Sequence, residues 1–257
     1  MLIALVAGVF LGLVLGTVGG GGAVLAVPVL VYLLDQSVHA ATTASLVVVV
    51  GAAGVAAIGH SRRGVVCWRL AVAFAAAAIP GSVAGTYANQ VVAGTPLLAA
   101  FAGLLIVAAV VTWRRGAGAT VGSVEACPQL RPRVVVLAGL GVGVLTGLFG
   151  VGGGFVIVPA LALGLHVPFR RAIGTSLVIV ALVSGVSLAG HLLAGAEPDW
   201  EIALPFAVAA MATASLGGWV AARLSRVALA RTFAAVLGAV AVYLLVSLIA
   251  VGGPPHG

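Results

Sequence analysis

The chemistry most legible in this sequence belongs to two glycine clusters. The first runs Gly19-Gly20-Gly21-Gly22 and is followed by Pro28; the second runs Gly150-Val151-Gly152-Gly153-Gly154 and is followed by Pro159. Pro159 stands 131 positions after Pro28, and the same offset pairs Gly19 with Gly150, Ser45 with Ser176, Leu46 with Leu177 and Gly59-His60 with Gly190-His191. Each cluster interrupts an apolar run. Glycine lets a backbone turn sharply and approach a ligand closely. Where a helix resumes after such a break, its first amides have no intrahelical partner. The helix dipole adds about half a positive charge at that end, which makes it a ready anion site. Two such ends facing one another can hold an oxyanion without a buried formal cation, and a charge fixed at the bilayer centre is costly. The candidate substrate-binding set is Gly19, Gly20, Gly21, Gly22, Gly150, Gly152, Gly153 and Gly154. Thr17, Thr42, Thr43, Ser45, Thr175 and Ser176 are the hydroxyls that can add donors, with Thr43, Ser45, Thr175 and Ser176 taken into the set. The competing reading is that the glycines serve only close helix packing; their recurrence in register, each with a proline beyond, favours a site.

Other groups are weaker candidates. His60 and His191 match across the repeat and can carry a coupled proton, but each also sits at an element end, where it can cap a helix or face headgroups. Trp68 and Trp200 read as interfacial anchors. His39, His166 and His256 read as loop residues without a role. Cys67 and Cys127 have no CxxC spacing, so neither a disulfide scaffold nor a metal site is expected. Asp35 lies at an element end and the remaining acids lie in loops, which argues against an acidic proton relay or a cation site. HExxH, GxSxG and Walker signatures are absent, the last because the chain has no Lys. No enzyme activity and no cofactor are expected.

The elements that must position these residues follow from composition. The 257 residues are 63% hydrophobic and 7% charged, with mean hydropathy +1.31. Too few charges are present to cover a soluble surface, and the long apolar runs imply a polytopic helical membrane protein, all-α in class. The alternating pattern of a transmembrane β-barrel is missing. The net charge of +7 comes from arginines that stand singly or in pairs between apolar runs, so they orient helices rather than bind nucleic acid. Five elements per half are expected, at roughly 2–17, 22–34, 40–60, 67–88 and 95–113, then 134–148, 153–165, 171–193, 201–222 and 228–250. The domain plan is a first membrane repeat 1–113, a polar linker 114–133 and a second membrane repeat 134–257. The opening segment, 1–18, lacks a basic start and has an internal counterpart, so it is read as a structural helix rather than a signal peptide.

All twelve arginines fall in four groups, at 62–69, 114–133, 170–171 and 223–231. If each element returns the chain to the other side, all four lie on one side, and the positive-inside rule makes that side the cytoplasm. The loop after His60 is then cytoplasmic and the equivalent loop after His191 external. This is an inverted-topology repeat, with a short or re-entrant helix after each glycine cluster. The protein is placed in the cell (inner) membrane, multi-pass, with linker 114–133 cytoplasmic. Expected partners are the lipid bilayer and a small anionic substrate, with a homo-oligomer possible in such proteins.

The pattern GlyxxGlyValGlyGlyGlyPhe over 147–155 with Pro159, then Arg170-Arg171-Ala172 and Gly174-Thr175-Ser176-Leu177, resembles the sulfite exporter TauE/SafE family. So do Gly59-His60-Ser61-Arg62-Arg63-Gly64 with Trp68, and Gly190-His191 with Asp199-Trp200. The resemblance covers nearly the whole chain. It implies a secondary transporter of a small sulfur-containing oxyanion, sulfite or an organosulfonate, exported by alternating access around the two glycine-rich helix starts. The alternatives are an anion or small-solute channel and a non-transporting membrane subunit. The first half departs from the pattern: it has Gly20-Gly21-Gly22-Ala23 where the second has Val151-Gly152-Gly153-Gly154, it lacks the Arg pair, and Cys67 stands before Trp68 where Asp199 stands before Trp200.

Overall fold

A computed structural model describes residues 2–92, 94–116, 127, 132–149, 154–165 and 167–251. Among these residues the chain is helical and contains no strand. Helices α1 (Leu2–Val18), α3 (Val38–Arg62), α4 (Trp68–Val91) and α5 (Gly94–Gly116) belong to the first half. Their counterparts are α6 (Pro132–Phe149), α8 (Phe169–Leu193), α9 (Trp200–Arg223) and α10 (Arg226–Val251). Between α1 and α3 lies α2, a 3₁₀ stretch Gly19–Leu25 that passes through Ala26–Pro28 into a widened π turn, Val29–Leu33. Between α6 and α8 lies α7 (Gly154–Pro159), which ends in the same widened turn, Ala160–Gly164. Helix is the outcome an apolar environment imposes on these Ala/Val/Leu runs, because it satisfies every backbone polar group within the segment.

The helix ends repeat bond for bond. In the first half Leu34 N–H donates to Val29 O and Gln36 N–H to Leu30 O; in the second Leu165 donates to Ala160 O and Val167 to Leu161 O. Gly64 and Gly195, at φ 68° and 84°, end α3 and α8 in the left-handed conformation that glycine favours. The next amides, Val65 and Ala196, close back onto the His60 and His191 carbonyls. The start of α9 is capped by Asp199, whose carboxylate accepts from the amides of Glu201 and Ile202.

Among the described residues, six helices are long and apolar enough to cross a membrane: α3, α4, Pro96–Arg114 within α5, α6, α8 and Trp200–Ala221 within α9. Leu137, Leu193, Tyr87 and Trp113 are exposed on such helices, as lipid-facing residues are. The first two elements are shorter. At about 1.5 Å per residue the 17 residues of α1 span roughly 25 Å, below a hydrocarbon core of about 30 Å. The chain reverses at Gly19, whose φ is 80°. Gly22 then lies so close to Leu15 that a methyl there would meet the Leu15 backbone. The first two elements therefore form a helical hairpin. Its second arm begins at Gly19 rather than 22, because the glycines themselves form its opening turns.

Packing interleaves the halves. Helix α1 runs along α9 and α6 along α4, while α3 pairs with α8 and α5 with α10, so exchanging the halves reproduces the set of packed pairs. Gly8, Gly12 and Gly16 abut the carbonyls of Phe206, Ala210 and Ala214; Gly139, Gly143 and Gly147 abut those of Phe74, Ala78 and Ser82. Only a hydrogen at these positions lets the backbones approach so closely. Helices α3 and α8 run antiparallel. A methyl on Gly174, near the start of α8, would lie 3.4 Å from Cβ of His60 at the end of α3. At the other end, Ser37 and Thr43 share a cavity with His191 and Ala194.

Two expectations are corrected. Cys67 and Cys127 are joined by a disulfide, with Cα atoms 5.7 Å apart. Cys127 thus lies against the residue that precedes α4, a proximity that CxxC spacing does not test. His39 is a residue of α3, not of a loop, and its Nε2 lies 3.0 Å from the Asn89 carbonyl oxygen. His166 and His256 lie outside the described residues.

Candidate functional site: a buried glycine junction between two cavities

Gly20 of the first cluster meets Gly154 of the second. A methyl on Gly154 would overlap the backbone of Gly20, and a methyl on Gly20 would lie 2.9 Å from Cα of Gly154 and 2.6 Å from Cγ2 of Val180. Gly19, Gly20 and Gly154 are buried. The amide of Gly20 donates to Ser176 Oγ at 3.3 Å, and the Ser176 hydroxyl donates to the Ile173 carbonyl at 2.8 Å. A helix start from one half thus finds its acceptor on α8 of the other half. Without a hydroxyl there, an amide in the first turn of α2 would be left without a partner. Ser176 Oγ thus fills the acceptor position at the start of α2.

Of the remaining candidates, Ser45 holds the matching place on α3 and donates to the Thr42 carbonyl at 2.8 Å. Thr42 and Thr43 donate back to Val38 and His39 carbonyls within α3, and Thr43 also lines a cavity. Thr175 points elsewhere: its Oγ1 accepts from the amide of Cys67 at 3.0 Å, satisfying the start of α4. Thr17 bonds the Leu13 and Gly217 carbonyls and ties α1 to α9. Gly21 lies within the 3₁₀ stretch, and Gly22 faces Leu15 inside the hairpin. Gly150, Gly152 and Gly153 lie outside the described residues. Phe101 of α5 contacts Phe149 and Phe155, at ring-centroid distances of 5.3 and 5.6 Å, bracing the end of α6 and the start of α7.

A cavity lies at each end of the α3/α8 pair. The first, about 230 Å³, is lined by His60, Arg63, Arg170, Ile173 and Gly218 among others. Ile173 also packs on Gly19: a methyl there would sit 3.0 Å from its Cγ2. One residue layer therefore separates this cavity from the glycine junction. The second, about 370 Å³, is lined by Ser37, His39, Thr43, Asn89, His191 and Glu197 among others. His60 and His191 are 5% and 2% exposed, so they face protein rather than headgroups. A ring nitrogen of His60 lies 3.0 Å from the Ala56 carbonyl oxygen, and one of His191 lies 3.1 Å from that of Gly147.

The sequence reading missed Ser184 and Ser187. Both are buried on α8 and their hydroxyls have no hydrogen-bond partner, although buried hydroxyls normally have one. With Ser176, Val180 and His191 they form one stripe at helical spacing, from the glycine junction to the second cavity. That spacing is visible in the sequence. Their equivalents on α3 are Ala53 and Ala56, so a search restricted to matched pairs passes over them.

Fold and site define a multi-pass helical membrane protein whose two equivalent halves meet at a glycine junction. The family model for the sulfite exporter TauE/SafE matches residues 4–244. The chain belongs to that family. It is similar to a probable membrane transporter protein of Xylella fastidiosa (strain 9a5c), 34% identical over 252 residues and 95% of both chains. It is also similar to the probable membrane transporter protein YunE of Bacillus subtilis (strain 168), 25% identical over 234 residues, covering 81% of this chain and 85% of that one. No solved structure matches it.

Proposed function

We propose that the protein is a secondary transporter that exports a small sulfur-containing oxyanion, such as sulfite or an organosulfonate, by alternating access around the glycine junction. The observation that carries this reading is the buried bond from the Gly20 amide to Ser176 Oγ where the two clusters touch, with a cavity beyond it at each end. A helix start that already holds a hydroxyl oxygen can exchange it for a more strongly accepting anionic oxygen. The antiparallel α3/α8 pair, the exchange-invariant packing and the matched Gly64/Gly195 ends support an inverted-topology repeat. Such a repeat can rock around a fixed site. The arginine-bearing end is assigned to the cytoplasm by the positive-inside rule. Ser184 and Ser187 offer the anion a polar path from the junction to the opposite end. Membership of the family supports the substrate class.

The test is a panel of sulfite, sulfate, thiosulfate, sulfoacetate and acetate, scored first by thermal stabilisation of the purified protein and then by transport in proteoliposomes. A substrate stabilises in proportion to its concentration over its affinity. The reading requires that a sulfur oxyanion stabilise the protein, and that its transport saturate and respond to an imposed gradient. Non-saturating flux that only equalises concentration would make the protein a channel. No stabilisation and no flux for any sulfur anion would sink the substrate assignment.

A further inference from the structure

The two cavities occupy equivalent places in the two halves, yet their charges differ. At the 131-residue offset His60 pairs with His191, Val65 with Ala196 and Ala221 with Gln90, and all six residues line their respective cavities. Arg63 corresponds to Ala194 and Arg170 to His39. Among the described residues, the first cavity has two guanidinium groups and no carboxylate in its lining; the second has no arginine and includes Glu197. A symmetric scaffold thus carries an asymmetric field.

The arginines are also positioned. Arg63 donates through Nη1 to the Gly218 carbonyl, and Arg170 through Nη2 to the Leu224 carbonyl at 3.0 Å. A guanidinium carries five N–H donors, and Arg170 makes a further contact besides its bond to Leu224. Both anchors lie toward the end of α9, so the two side chains reach the cavity from α3 and α8 and are tied to a third helix. Planar guanidinium forks suit oxyanions because they can bind two oxygens at once. Positive charge at a concave mouth raises the local concentration of anions.

From this we infer that the Arg63/Arg170 cavity is a second, peripheral oxyanion-binding site, a capture site at the arginine-bearing end that delivers anions past Ile173 to the glycine junction. The lining at the other end has no arginine among the described residues and includes Glu197, which favours release there. The ligand is a small tetrahedral or pyramidal oxyanion. The inference rests on the anion reading of the junction only for where the captured anion goes next; binding at the cavity stands or falls by itself.

Sulfate serves as the probe, measured as thermal stabilisation of purified protein against sulfate concentration, with chloride matching the ionic strength. Sulfate stabilises proteins generally by exclusion from their surfaces, so the readout is the saturating part of the curve. Arg63→Gln and Arg170→Gln should each need about five- to tenfold more sulfate for half the saturating shift, and the double variant should lose saturation. Arg63→Lys should fall between, keeping charge but losing the fork. Arg231→Gln, outside the lining, should match the parent. A parent curve without a saturating part, or Arg63/Arg170 variants that superimpose on it, overturns the inference. In proteoliposomes, the same variants should raise KM for anion presented at the arginine-bearing end by a similar factor and leave KM from the other end unchanged. Arginine-dependent sulfate binding in a parent that transports no sulfur anion would keep the capture site and remove the transport reading instead.

Discussion

Ser176 and Thr175 are adjacent hydroxyls on α8, yet they serve different parts of the molecule. Ser176 accepts from the Gly20 amide, and Thr175 accepts from the Cys67 amide. Once an anionic oxygen takes over the Gly20 amide, the released Ser176 hydroxyl can turn and donate to the anion, so Ser176→Ala should weaken binding of the best anion by about 0.5–1.5 kcal/mol, the range for one neutral hydrogen bond, or roughly two- to tenfold in Kd. Thr175→Ala should leave that affinity near the parent value and lower thermal stability instead, since it strips the acceptor from the start of α4. Calorimetric binding and melting of the two variants separate these outcomes; equal affinity loss in both would refute the division of labour. The sequence offset picked out Ser45 and Ser176 as a pair but treated Thr175 as an equal candidate. Successive helix positions point about 100° apart, and only the packed rotation of α8 decides which one meets the glycines. Gly154 makes the companion case. Gly154→Ala should abolish transport and lower folded yield, because its methyl would overlap Gly20; Gly54→Ala, with no atom within 4 Å, should be tolerated and gain up to about 1 kcal/mol in helix propensity. Transport per folded molecule, counted by size-exclusion chromatography, checks both.

At the scale of elements, the apolar runs gave helix positions to within a few residues, because a bilayer leaves a long apolar segment little alternative to helix. What they could not show is which helix lies against which. The expected blocks 1–113 and 134–257 interleave, with α1 on α9 and α6 on α4, and the choice rests on surfaces that meet only in three dimensions. The glycine stripes make this exchange testable. Gly12→Ala and Gly143→Ala each set a methyl against a backbone carbonyl of the partner helix and should destabilise by about 1–3 kcal/mol, as overpacking does. If either variant melts like the parent, the close α1–α9 or α4–α6 approach is wrong. The disulfide was also invisible to spacing rules. Cys67 and Cys127 stand 60 residues apart in sequence and meet only in three dimensions. Closing a loop of that length restricts the unfolded chain by about 4 kcal/mol in the chain-entropy model. Purified, oxidised protein should take up no maleimide–polyethylene glycol when denatured without reductant and two equivalents after reduction, and reduction should lower its melting temperature. Two reactive thiols without reductant would refute the bond.

At the scale of the whole molecule, the disulfide and the arginines bear on the same question. A cytoplasmic linker would place Cys67–Cys127 in a reducing compartment, where protein disulfides are uncommon and mostly transient. The arginines point the other way with more groups. Arg63 and Arg170 line one cavity, Arg171 reaches Cys127 Sγ at 3.6 Å, and Glu197 lines the cavity at the opposite end of the α3/α8 pair. At about 1.5 Å per residue the 25 residues of α3 put roughly 37 Å between those ends, enough to set the two charge groups on opposite sides of a hydrocarbon core of about 30 Å. Charge asymmetry across short loops decides orientation during insertion, whereas a disulfide forms only afterwards, so the arginines take precedence. The expected outcome is that linker 114–133 faces the cytoplasm and the loop bearing Glu197 faces outward. Single cysteines at Gly118→Cys and Glu197→Cys, in a background with Cys67 and Cys127 replaced by Ala, test it with a membrane-impermeant maleimide. Glu197→Cys should label in intact cells, and Gly118→Cys only after permeabilisation. The reverse pattern would turn the molecule over, placing the disulfide in an oxidising compartment and the arginine cavity at an external mouth suited to uptake. Labelling of both positions from outside would mean that the two halves do not have opposite orientation, and alternating access through a rocking repeat would lose its basis.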